Sequence, residues 1–357
     1  NSAEQIRFGG EFVRDGYHVT MRDGGAMDGG AMSGGIRPTD DTVEVADDVK
    51  LARSVWNPDA SGSPHGGVLV IHGMAEHRKR YKELCGALAS NGFLVWSYDQ
   101  RGHGESASEK TGRRYISPGN SWDLLVNDAR VLLRELWDIL VALRSPQLFV
   151  IGHSMGSLVA RDVLAKAPVP VCGAVLLGTA GNSGGKAWVG RIMAGIVATK
   201  ALSKPSRLMH RLTFSGYTAR IVEPASEFDW LSRDRSRVRA YEEDPYCGEV
   251  MSAHFFRELA RGLIRVSRRD VLAAMPRTTA CLFLSGTEDP VGGYGTRVRW
   301  VARQLQAAGH PDVRLRLIDG ARHELLHETN RGEVIEEVRH WLVEKSMACQ
   351  NEADAQQ

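Results

Sequence analysis

A serine at 154, an aspartate at 289 and a histidine at 323 are the residues of this chain whose types and settings could together cleave an acyl bond. The serine lies in Gly152-His153-Ser154-Met155-Gly156, directly after the apolar run Leu148-Phe149-Val150-Ile151. Ser157 to Leu164 then reads as a helix, stopped at Ala167-Pro168. A strand that turns straight into a helix strains the residue at the corner. Glycines two positions away on each side remove the Cβ clashes that would forbid the turn. The hydroxyl is thrust out above the sheet, and the next N–H groups sit at a helix N-terminus, where negative charge is favoured. The bare pattern is weak, and a second match occurs at Gly181-Asn182-Ser183-Gly184-Gly185. There Gly178-Thr179-Ala180 intervenes after the strand Val175-Leu176-Leu177, and Gly184-Gly185 makes a poor first helical turn, so it reads as an exit loop.

A serine hydroxyl needs a base to take its proton and an acid to orient that base. Sites of open α/β sheets form beyond the carboxyl ends of the strands, so both partners should lie in such loops. Asp289 lies in Ser285-Gly286-Thr287-Glu288-Asp289-Pro290, right after an apolar strand, and Pro290 stiffens its backbone. Glu288 is the rival carboxylate. His323 follows the last strand-like run, Val313 to Leu317; His327 is its nearest rival, while His310 precedes that strand and His340 falls inside the closing helix. Serine, then acid, then histidine is the chain order of one large hydrolase architecture. Upstream, Gly73 permits a tight turn after Val68-Leu69-Val70-Ile71, so the backbone N–H groups of Met74 and Met155 are assigned to an oxyanion hole.

These loops need a scaffold, and the hydropathy pattern supplies one. Val43 to Val45 and Val49 to Val55 alternate like half-exposed antiparallel strands. From Val68 onward, short apolar runs alternate with amphipathic helices at about 81–89, 122–143 and 157–164, the signature of a mostly parallel sheet covered on both faces. The alternation breaks between about 182 and 270, where helical pieces occur without a buried strand, and resumes at Ala280. A helical insert after the nucleophile is where a lid would sit. The resulting division is a flexible Gly-rich extension at 1–40, a core at 41–181, a helical cap at 182–270, the rest of the core at 271–347 and a tail at 348–357.

The 357 residues are 43% apolar and 25% charged, an ordinary globular composition able to bury a large core. A net charge of +2 with no basic block excludes a nucleic-acid binder of the usual kind; Arg233, Arg235, Arg237 and Arg239 alternate with other residues as on a solvated helix face. Five scattered cysteines, with no C-x-x-C or Cys/His cluster in sequence, imply neither disulfides nor a metal and fit a reducing, cytoplasmic setting. No run has the length of a membrane span. The small-residue stretch Val189 to Val197 packs on the core, lines an acyl tunnel or touches lipid surfaces transiently.

His72-Gly73-Met74-Ala75-Glu76-His77, Tyr98-Asp99-Gln100-Arg101-Gly102-His103-Gly104-Glu105-Ser106 and Gly152 to Gly156 together resemble the monoacylglycerol lipase and lysophospholipase branch of the α/β-hydrolase family, over about Thr42 to Glu344. The resemblance implies a doubly covered α/β sheet with a helical cap inserted after the sixth strand. It also implies a serine hydrolase of lipid-like acyl esters that needs no cofactor or metal. Ser154, Asp289 and His323 fall on the family's triad, and Met74 and Met155 on its oxyanion positions. Residues matching Glu76 and Arg80 bind a glycerol head in such lipases, with a second histidine three places after the catalytic one. Here position 326 is leucine and the extra histidine is His327, a departure from that subsite. A peptidase of the same fold and a non-catalytic ligand-binding protein are the alternatives; the first needs an acidic anchor, for which Glu223, Glu227, Asp229, Glu242, Glu243 and Asp244 are available.

Overall fold

The computed structural model describes residues 12–14, 17–19, 36–59, 62–107, 113–116, 119–181 and 203–355. The second serine motif beyond Gly181, and the stretch Val189 to Val197, lie outside them. Within the expected N-terminal extension, strands β1 (Phe12–Arg14) and β2 (Tyr17–Val19) form an antiparallel pair. The main sheet begins at Thr39, slightly before the expected core boundary.

That sheet has eight strands: β3 (Thr39–Val45), β4 (Val49–Trp56), β5 (Gly66–Ile71), β6 (Phe93–Tyr98), β7 (Leu148–His153), β8 (Gly173–Leu177), β9 (Ala280–Gly286) and β10 (Val313–Ile318). Their spatial order is β10-β9-β8-β7-β5-β6-β4-β3. β4 runs antiparallel to β3 and β6; every other pair is parallel. The central strands are buried along their whole length, as their unbroken apolar sequences require. Successive residues alternate between two cores. Leu69, Ile71 and Val150 pack against α2 (Ser121–Ala142) and α3 (Met155–Leu164). Val68, Val70 and Ile151 face α1 (Lys82–Ala89) and the closing helix Arg331–Ala355. Each large apolar side chain so buried contributes about 1.5–3 kcal/mol.

The chain leaves β5 toward β6 on one side and returns to β7 on the other. The carboxyl ends of β5 and β7 therefore flank a crevice where the winding direction switches, the usual ligand position in such sheets. Between β8, the sixth strand of this sheet, and β9 come the helices Arg207–Phe214, Arg235–Glu243, Ala253–Val266 and Arg269–Ala273. Ser206, Asp234 and Ser252 start three of them, their side chains accepting from the N–H groups of Met209, Ser236 and Phe255. The closing helix runs past its expected end at Glu344 through the segment read as a tail, because nothing from Lys345 to Ala355 is a glycine or proline that would break it.

Candidate active site

Ser154 sits at the corner between β7 and α3 with φ 50° and ψ −117°, a region costing on the order of 1–3 kcal/mol for a residue with a Cβ. The corner is this sharp because α3 starts immediately and presses on the sheet. A Cβ at Gly156 would lie 2.1 Å from the Ile71 carbonyl oxygen, and one at Gly152 would lie 2.6 Å from the Gly156 carbonyl oxygen. The Ser154 N–H donates to the Leu177 carbonyl at 2.9 Å, fixing the corner against the end of β8.

The residue just after β8, Gly178, faces His323: a Cβ there would be 3.1 Å from the ring's Nδ1. His323 is held from several sides. Its Nδ1 lies 3.0 Å from Asp289 Oδ1, and both side chains are buried. Asp289 also accepts from the Val291 N–H at 2.8 Å and from Ser285 Oγ at 3.1 Å, which fixes the carboxylate plane. The loops carrying the two residues are joined where Thr287 N–H meets the Ile318 carbonyl and Glu288 N–H meets the Ala321 carbonyl, both at 3.0 Å. Glu288, the rival carboxylate, points to solvent. Trp230 of the inserted segment tilts against His323, its ring centroid 5.1 Å away, and the His153 ring lies 4.9 Å away on another side. The Leu231 carbonyl accepts from the Glu324 N–H at 2.7 Å, so the insert is tied directly to the histidine loop.

The loop after β5 is organised by one carboxylate. Glu76 Oε1 accepts from the Gly73 N–H at 2.6 Å, from Tyr81 Oη at 2.8 Å and from His153 Nδ1 at 2.9 Å. Its Oε2 accepts from Arg80 at 2.7 Å. Burial disfavours the Glu76 charge, but the His153 bond and the Arg80 guanidinium outweigh it and hold the carboxyl well below its usual range. The same bond lifts the His153 pKa against its burial. Gly73 is drawn close to the serine: a Cβ on it would be 3.3 Å from Ser154 Cβ. Met74 follows Gly73, and Met155 is the first residue of α3, whose N–H has no acceptor within the helix.

Ser154, Met155, Gly73, Met74 and His323 all line one cavity of about 1090 Å³ whose wall also includes residues of the inserted helices. Its far walls are apolar, from Leu158, Met209, Phe214, Phe256, Leu259 and Leu263. Of the three expected head-group residues, Glu76 is on the wall, whereas Arg80 and His327 stand behind it. Arg80 is clamped in a bidentate pair with Glu324 at 2.6 and 2.7 Å. His327 is buried, and its burial lowers the pKa to about 4. The extra histidine is therefore not on the cavity wall but near the charges of Arg80, Glu324 and Glu76. Glu324 and Trp230 escaped the sequence reading. Glu324 adjoins His323, a signal that was present; Trp230 lies in the insert, where no periodic pattern pointed to the site.

The chain is similar to known proteins over most of its length. A monoacylglycerol lipase of Mycolicibacterium smegmatis is 28% identical over 302 residues, which cover 83% of this chain and 93% of that protein. A monoglyceride lipase of Mus musculus is 26% identical, covering 85% of this chain and 90% of its own. A carboxyl esterase of Bacillus coagulans solved with glycerol superposes with a TM-score of 0.78 at 22% identity, over 87% of this chain and 99% of the esterase, and shows the shared α/β-hydrolase fold. The Hydrolase_4 family, described as "Serine aminopeptidase, S33", matches residues 62–330, well over half of the sequence, and this chain belongs to that family.

Proposed function

We propose that this carboxylic ester hydrolase cleaves acyl esters of small lipid-like alcohols, monoacylglycerols foremost, through an acyl-enzyme on Ser154. The observation that carries the proposal is the strained Ser154 corner on the wall of an apolar cavity shared with a His323 held by Asp289 at 3.0 Å. In this mechanism His323 takes the hydroxyl proton as Ser154 attacks the ester carbonyl. The N–H groups of Met74 and Met155 receive the oxyanion, each worth on the order of 3 kcal/mol in the transition state. Asp289 fixes the imidazole tautomer and offsets the imidazolium charge. The alcohol leaves with the proton from His323, and water then opens the acyl-enzyme by the same route in reverse. The inserted helices serve as the cap, and their apolar inner surface takes the acyl chain. Lipase relatives over more than four-fifths of the chain support this substrate class.

The family's description raises a second reading, an aminopeptidase, which must anchor a substrate ammonium on a carboxylate. Among the described residues, three of the four carboxylates on the wall are committed, Glu76 and Glu324 to Arg80 and Glu249 to Arg113 and Arg114 at 3.1 and 3.0 Å, and the fourth, Glu227, has a side chain 74% exposed, 3.8 Å from His210. This favours the ester reading. The test is a panel of monoacylglycerols, lysophospholipids, simple esters and aminoacyl amides of graded size, assayed with wild-type and Ser154→Ala protein, together with fluorophosphonate labelling. Monoacylglycerol turnover that is lost in Ser154→Ala, with labelling at Ser154, is the expected result. Undiminished turnover in Ser154→Ala, or turnover confined to aminoacyl amides, would overturn the proposal.

A further inference from the structure

A second cluster of chemically competent groups joins the end of the loop that carries Met74 to the inserted segment. His77, Asp244 and Cys247 bring together an imidazole nitrogen, a carboxylate oxygen and a sulfur, all within 4.8 Å of one another. They come from two segments: His77 from the loop after β5, Asp244 and Cys247 from the turn that follows the helix Arg235–Glu243. The His77 and Cys247 residues are 7% and 8% exposed, and Asp244 closes the outer side. His77 Nε2 lies 2.9 Å from Asp244 Oδ2. Two bonds beside the cluster hold the segments in register: the Gly248 N–H and the Tyr241 hydroxyl both donate to the Ala75 carbonyl at 3.0 Å.

We infer that His77, Asp244 and Cys247 form a binding site for a thiophilic divalent cation of the zinc class, clamping the inserted segment onto the loop of Met74. The donor set chooses the ion. One thiolate, one imidazole and one carboxylate suit Zn²⁺, Co²⁺ and Cd²⁺ and not Mg²⁺ or Ca²⁺, which want oxygen alone. Metal–ligand lengths of about 2.0–2.3 Å put the ligand atoms of a tetrahedral site roughly 3.3–3.8 Å apart. Side-chain adjustments of about 1 Å reach that from the observed spread. Three protein ligands leave a fourth position for water. The surroundings tolerate a dication, because the nearby guanidinium of Arg80 is already bracketed by the carboxylates of Glu76 and Glu324. On binding, the thiol releases its proton to solvent, and the His77 proton shifts from Nε2 to Nδ1 so that Nε2 can ligate.

The test uses metal-stripped full-length protein and needs no substrate, so its outcome is independent of the ester-hydrolase reading. ZnCl₂ is titrated calorimetrically into wild type, Cys247→Ser and Asp244→Asn, with MgCl₂ as the control ion. Melting temperatures are measured with and without one equivalent of Zn²⁺. One Zn²⁺ per chain, a raised melting temperature, and affinity reduced at least about tenfold in both variants are expected. Mg²⁺ should give no heat. Co²⁺ bound to wild type should show a thiolate charge-transfer band, which reads the site even where a variant fails to fold. No stoichiometric Zn²⁺ uptake, a Co²⁺ spectrum without the thiolate band, or uptake unchanged in Cys247→Ser would each overturn the inference.

Discussion

Replacing Glu76 by glutamine tests how the loop beside the nucleophile is held. Four donors converge on the Glu76 carboxylate: Gly73 N–H, Tyr81 Oη and His153 Nδ1 on one oxygen, and Arg80 on the other. A glutamine has one acceptor oxygen and one NH₂. With the oxygen toward Gly73 it keeps three of these bonds and turns the NH₂ toward Arg80, donor against donor. The reverse orientation loses three bonds, so the first prevails. What is lost is one hydrogen bond to a charged group, about 1.5–3 kcal/mol, while Arg80 retains its bidentate pair with Glu324. Glu76→Ala is a different case: it orphans the Gly73, Tyr81 and His153 donors in a site only 2% exposed, at about 1–3 kcal/mol each, while Arg80 keeps Glu324. Urea unfolding followed by circular dichroism should therefore place Glu76→Gln roughly 2–3 kcal/mol below wild type and Glu76→Ala at more than twice that loss. Because the Gly73 bond survives in the glutamine variant, its kcat on a simple p-nitrophenyl ester should fall by less than about tenfold, with a parallel change on monoacylglycerol. A glutamine variant within about 0.5 kcal/mol of wild type, or an alanine variant no worse than glutamine, would show that the carboxylate does not organise the loop.

Asp289→Asn removes the charge that faces His323, and kcat should fall on the order of a thousandfold or more with the melting temperature little changed; a loss under about tenfold would refute the assignment. Burial lowers the pKa of His72 and His327 to about 4 and that of His103 to about 3, all below the ordinary 6.5. The unfolded chain therefore takes up these protons first. Stability that is complete above about pH 6.5 should decline as pH falls toward 4, by up to about 1.4 kcal/mol per pH unit for each histidine. Denaturation midpoints unchanged between pH 7 and 5 would contradict this. Gly262→Ala places a Cβ 2.3 Å from the Trp122 ring where the helix Ala253–Val266 crosses α2. Overpacking of about 1–3 kcal/mol should exceed the gain of up to about 1 kcal/mol in helix propensity, so a melting temperature above wild type would count against this packing.

Much of the scaffold was readable in one dimension because it is written in local periodicity. Central strands such as Phe93–Tyr98 are unbroken apolar runs because both faces are covered, and α2 matches its amphipathic repeat to within a residue at each end. The serine corner was equally local, since Gly152 and Gly156 mark where backbone approaches too closely for any Cβ. The choice of Asp289 over Glu288 rested on a neighbouring proline, and the structure places Asp289, not Glu288, against His323. What the linear pattern could not yield were contacts set by long-range pairing. Trp230 meets His323 across 93 positions of the chain, and Arg80 is seized by Glu324 across 244. Both contacts depend on which side chains the eight-stranded sheet and the inserted helices bring into one low-dielectric space, where an unpaired charge is costly and a partner must be found. Periodicity fixes faces and elements, because it acts through neighbouring residues. The company that a buried carboxylate or imidazole keeps is decided only once the tertiary structure has excluded water around it.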